Sequence, residues 1–92
     1  MNHIEKFVDE QGKIKQLPSK REPRCKVLEY LAVKFSSDID YTEKEVNAII
    51  DHWHTFSDYF LLRREMVENK FLYRETDCSR YWKEKEQQQE QE

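Results

Sequence analysis

The stretch Tyr41–Trp53, Tyr-Thr-Glu-Lys-Glu-Val-Asn-Ala-Ile-Ile-Asp-His-Trp, constrains the fold more than any other part of the chain. Thr42 and Glu45 have the T-x-x-E spacing of a capping box. In that motif the threonine oxygen accepts from the amide of Glu45, and the glutamate reaches back to the amide of Thr42. Tyr41 before the cap and Val46 four residues after it have the spacing of a hydrophobic staple. Val46, Ile49, Ile50 and Trp53 recur at i, i+3, i+4 and i+7, which places them on one helical face. The spacing predicts a helix over Glu43–Trp53 whose apolar face the rest of the chain must cover.

A chain of 92 residues makes one small domain. Its hydrophobic fraction, 37%, is matched by a charged fraction of 38%, so the core is lean and must lean on its two Trp, five Tyr and five Phe. One Gly and two Pro leave little room for long loops. Cys25 and Cys78 do not form a disulfide framework. No apolar run is long enough to span a membrane, and the N-terminus lacks the apolar segment of a signal peptide. The expectation is a cytoplasmic protein without a membrane partner.

Ahead of the capped helix, residues Asn2 to Val8 suggest a short helix with Ile4, Phe7 and Val8 on one face, and Asp9–Gly12 reads as a turn. Lys13 to Leu17 suggests a short strand, ended by Pro18. Ser19 and Glu22 have capping-box spacing for a helix running to about Phe35, with Val27, Leu28, Leu31, Ala32 and Phe35 as its apolar stripe. Cys25 borders that stripe. After a junction at His54 and Thr55, Ser57 to Glu68 reads as a third main helix with Tyr59, Leu62, Met66 and Val67 inward. Asn69 is a passable left-handed cap for it. Phe71–Arg74 and Arg80–Lys83 then read as a hairpin around Glu75–Ser79, with Cys78 exposed in its loop. Residues 84–92 form a Glu/Gln-rich tail, disordered or a frayed helix.

A strand before the first main helix and a hairpin after the third give the order of a winged helix-turn-helix. The fold class expected is α+β: a three-helix core over residues 1–83, with the lone strand pairing to the hairpin in a small three-stranded antiparallel sheet.

Several blocks are also similar to a known family: Gln16–Arg21, Tyr41–Asn47, Leu62-Arg63-Arg64-Glu65-Met66-Val67 and Tyr81-Trp82. They resemble, in order and over Phe7 to Lys83, a bacterial domain family of unknown function, number twenty eighty-seven. The resemblance implies a winged-helix-like domain found alone or behind the helix-turn-helix domain of transcriptional regulators. It implies no catalytic residues. The family usually carries a glycine in the hairpin, where this chain has Thr76-Asp77-Cys78-Ser79.

The charge is segregated. Lys13–Lys26 holds six basic residues against Glu22, whereas Asp38–Asp58 holds six acids against Lys44. Lys20, Arg21, Arg24 and Lys26 crowd the first turns of a helix, against the preference of its dipole for acids. That local cost points to a role for these charges. In a winged helix-turn-helix the third helix enters the major groove and the hairpin touches the backbone. Arg63, Arg64 and Lys70 would lie on or beside that helix, Arg74 and Arg80 on the wing, and Lys20, Arg21 and Arg24 would add phosphate contacts. Asp58, Glu65 and Glu68 on the same helix weigh against this. In the competing reading, Arg63 and Arg64 pair with acids of the preceding helix, such as Asp51.

The expected function is transcription-associated binding of duplex DNA. The alternative is a protein-interaction or dimerisation module, with Tyr59, Phe60, Tyr73 and Tyr81 as its contact patch. His52 and His54 point to different sides of a helix, so no metal site is expected from them. The chain has no G-x-S-x-G and no P-loop, so neither an enzyme nor a cofactor is expected.

Overall fold

The computed structural model describes residues 4–84; the tail from residue 85 onward and the first three residues lie outside them. The domain is α+β: helices α1 (Arg21–Ala32), α2 (Glu43–His52) and α3 (Tyr59–Glu68), then strands β1 (Tyr73–Arg74) and β2 (Tyr81–Trp82). A single 3-10 turn, Glu5–Phe7, stands where a short helix was expected.

The capped helix forms as its spacing dictates. The Glu45 amide donates to Thr42 Oγ1 at 3.1 Å, and the Thr42 amide donates to Glu45 Oε1 at 2.9 Å. Val46 and Ile50 are fully buried, and Trp53 ends the helix half-buried. α1 differs from expectation at both ends. Lys20, not Ser19, is its N-cap, and no side chain caps it. Ser19 therefore falls one residue out of frame for the capping box with Glu22. The regular helix stops at Ala32, where 3-10-type bonds (Lys34 to Leu31 O, Phe35 to Ala32 O, both 3.0 Å) tighten the last turn. Phe35 remains in the core all the same.

α1 and α2 both pack on α3. Val27, Leu28, Leu31, Val46, Ile50, Leu62, Met66 and Leu72 have no exposed surface. Burial of each such side chain contributes about 1.5–3 kcal/mol, before the opposing loss of chain entropy. Lys34 ties α1 to the end of α2, with its ammonium 4.6 Å from the Tyr30 ring centroid and 4.1 Å from that of Trp53.

The expected sheet needs correction. Lys13–Leu17 does not reach the hairpin; its one bridging residue, Ile14, pairs with Val8 and with His54. The N-terminal segment folds back on itself around Gly12 (φ 82) and clips onto the α2–α3 connection, where the Ile14 amide donates to Trp53 O and Ile14 O accepts from Thr55. The residue beside the hairpin is instead Tyr41. It exchanges both backbone bonds with Tyr81, at 2.8 and 2.7 Å, while β1 and β2 pair with Tyr73 opposite Trp82 and Arg74 opposite Tyr81. The backbone immediately before α2 thus docks on the outer edge of β2.

Candidate nucleic-acid interface

The position of α3 is set by the turn before it. His54 is buried, and both ring nitrogens are used: Nδ1 lies 2.7 Å from Ile50 O, and Nε2 lies 2.8 Å from the Asp58 amide. A carbonyl only accepts and an amide only donates, so both contacts together require the neutral ring with its proton on Nδ1. Ser57 takes a positive φ of 57, and Asp58 then caps α3 by accepting from the Leu61 amide at 3.2 Å. The helix starts at Tyr59 rather than Ser57 because Ser57 lies outside helical backbone space.

The other end of α3 is a Schellman motif. The Lys70 amide donates to Val67 O and the Phe71 amide to Met66 O. The left-handed residue is Lys70 (φ 66), not Asn69, whose side chain instead returns to Glu65 O at 2.8 Å. This geometry ends the helix and starts the chain toward β1.

The arginines divide by what they touch. Arg63 is half-buried, donates to Asn47 Oδ1 at 2.5 Å and lies 3.3 Å from Glu43. It does pair with the preceding helix, but with Glu43 rather than Asp51. Arg24 lies 3.7 Å from Glu65 and links α1 to α3. Arg80 pairs with Asp40 at 3.0 Å and Glu75 at 2.6 Å, and lies over the Trp82 ring. Those hydrogen bonds, with Glu75 first, raise the pKa of its guanidinium above the ordinary value. Arg80 therefore closes the hairpin loop across Glu75 and ties it to the segment before α2 through Asp40.

Arg64 is exposed, with no ion-pair partner among the described residues. Arg74 is anchored differently: its Nη1 donates to Glu75 O at 3.2 Å and Thr76 O at 3.3 Å and lies 3.3 Å from Cys78 Sγ. Its charge has no carboxylate partner among the described residues. Arg64 and Arg74 line one hollow between α3 and the hairpin, of about 290 Å³. Lys70 and Arg74 line a neighbouring one, and Val67 borders both. Lys20 and Arg21 stand exposed at the start of α1, and Arg21 shares a third hollow with Phe71, the residue after Lys70. The structure thus gathers Arg64, Lys70 and Arg74, places Lys20 and Arg21 at the helix start beyond, and commits Arg24 and Arg63 to internal pairs.

The acids of α3 divide in the same way. Asp58 is the cap, and Glu65 is shared by Arg24 and Asn69, leaving Glu68 on the Arg64–Arg74 hollow.

The expected aromatic patch also splits. Tyr81 is 1% exposed, at the centre of the sheet contact, so it belongs to the core. Burial, reinforced by contact with Cys78, pushes its hydroxyl up to about 12. Tyr73 is half-buried and stacked on Trp82. Tyr59 and Phe60 are 40% and 55% exposed, so Tyr59 does not face inward as its spacing suggested. Cys78 is half-buried beside Arg74, and its φ of 66 is one that glycine adopts freely. Phe60 and Cys78 were absent from the expected nucleic-acid contacts, yet both line the hollow. Helical periodicity does carry a signal for Phe60. It lies two residues before Leu62, which puts it across the helix from the buried stripe.

Residues 13–83 match the family described as "uncharacterized protein conserved in bacteria" (DUF2087), and the chain belongs to that family. No curated protein and no solved structure matches it. Among the described residues, no helix is long and apolar enough to cross a membrane.

Proposed function

We propose that this member of an uncharacterised bacterial family is a winged helix-turn-helix that binds duplex DNA in a transcription-associated role. In this reading it is a binding domain and not an enzyme. α3 lies in the major groove, the β1–β2 hairpin is the wing, and Tyr41 supplies the third strand. The order helix, bridge residue, helix, helix, hairpin supports that assignment.

The observation that carries the reading is the grouping of Arg64, Lys70 and Arg74 along α3, its C-terminal end and the hairpin, without carboxylate partners among the described residues. Arg24 and Arg63 hold the scaffold, while Lys20 and Arg21 add flanking phosphate contacts. Binding of the full chain to a random-sequence duplex, followed by fluorescence anisotropy, tests it. Binding that is clear at low salt and weakens steeply as salt rises is the expected result. No binding at low salt overturns the reading.

The exposed rings of Tyr59 and Phe60 favour a second reading, a protein-interaction or dimerisation module. Light scattering that shows a dimer broken by Phe60→Ala, with no DNA affinity, would replace the first reading with this one.

A further inference from the structure

We infer that the hollow between α3 and the hairpin is a site for a small organic anion: one carboxylate or phosphoryl group on an apolar body of about one ring. The inference is independent of DNA binding, except for the competition described below.

The charge comes from two sides. Arg64 projects from α3 and Arg74 from β1, and Glu68 is the one acid on the wall among the described residues. The positive charge of Arg63, also on the wall, is already met by Glu43. Arg74 is preorganised: its Nη1 is held by two loop carbonyls and the Cys78 sulfur, so the guanidinium does not have to be ordered on binding. Its Nε and Nη2 protons have no acceptor among the described residues, which leaves donors for an oxyanion.

The rest of the wall is apolar. The Phe60 ring is 55% exposed, and the Arg63 guanidinium lies 5.3 Å from its centroid. Val67 lies one helical turn from Arg64, on the same side. A volume of about 290 Å³ sits at the lower edge of the range for small-molecule sites, roughly 300–1,000 Å³, and therefore limits the body to about one ring. Inorganic ions would meet the arginines but leave Phe60 and Val67 unused. An anion seated here takes the two arginines that the DNA reading assigns to phosphates, so it competes with DNA.

The test is a titration of the isotopically labelled full chain with phenyl phosphate, benzoate and inorganic phosphate, each against sodium chloride of equal ionic strength. The expected result is saturable amide shifts confined to the neighbourhood of Arg64, Arg74 and Cys78, with a dissociation constant on the order of millimolar. Phenyl phosphate should bind several-fold tighter than inorganic phosphate, and Phe60→Ala should remove that preference. Arg64→Gln, a change at an exposed position, should weaken all three, and Arg64→Gln with Arg74→Gln should weaken them by about tenfold or more. Shifts equal to those in chloride, or spread over Lys20 and Arg21 as well, overturn the site. If the double variant loses DNA affinity while phenyl phosphate never binds, the site falls and the DNA reading stands. If phenyl phosphate binds and DNA does not, the DNA reading falls and the site stands.

Discussion

The Lys83 ammonium caps α1 from the far end of the domain, donating to Ala32 O at 3.0 Å and Phe35 O at 3.1 Å. α1 has no basic residue in its own last turn, so this contact supplies the cation that the helix C-terminus favours. It also fastens the segment after β2 to the core. Lys83→Met keeps the apolar stem and removes the donor. It should lower the unfolding free energy by about 1–2 kcal/mol in urea, without changing the slope of the transition. An unchanged midpoint would show that the cap is not used in solution.

His54 should matter more. His54→Leu removes the acceptor of the Asp58 amide, while the Ile50 carbonyl keeps the Trp53 amide at 3.0 Å. With one orphaned group, the expected loss is about 1–3 kcal/mol. The affected amides should be those of Thr55 to Leu61, measured by hydrogen exchange. If protection is lost evenly over the whole domain instead, the turn is not the point of failure.

At Lys70, stability and binding should move in opposite directions. A lysine held at φ 66 is strained in a way that glycine is not. Lys70→Gly should therefore raise stability by about 1 kcal/mol. The same change removes a charge from the group proposed to face DNA and should weaken DNA binding. Thermal melting and anisotropy on one sample check both signs.

Tyr81 makes the domain sensitive to alkali. Burial, with the Cys78 contact second, pushes its hydroxyl up to about 12 from the ordinary 10.0 of tyrosine. The folded state therefore holds that proton more tightly. The associated stability is fully present below pH 10 and is lost as pH rises through 12. Tyr81→Phe should unfold with a flatter pH dependence over that window, as read from urea midpoints; identical slopes would contradict the burial cause.

What was legible in the chain was local. The Thr42–Glu45 box, the stripe of Val46 and Ile50 and the hairpin aromatics each rest on residues a few positions apart, and all form as their spacing dictates. The misreadings involve partners far away. Tyr41 read as a staple residue, yet its backbone also completes the hairpin edge 40 residues on, and a one-residue bridge has no periodicity to detect. Arg63 was placed correctly on α3, but its partner was decided by the crossing of α2 and α3, which brings Glu43 rather than Asp51 into reach. The division of the basic residues into bonded and free ones was invisible for the same reason. The seven candidate nucleic-acid contacts are all arginines or lysines in the sequence, and only packing separates Arg24 and Arg63 from the rest.

The salt dependence of DNA binding in wild-type protein and in the Arg64→Gln/Arg74→Gln variant addresses the central claim most directly. Each phosphate contact contributes about 0.9 to the slope of log K against log salt. If α3 and the hairpin carry the interface, the variant should bind more weakly at every salt concentration, with a slope flatter by roughly 1–2. Equal affinity and equal slope in the two proteins would contradict the assignment.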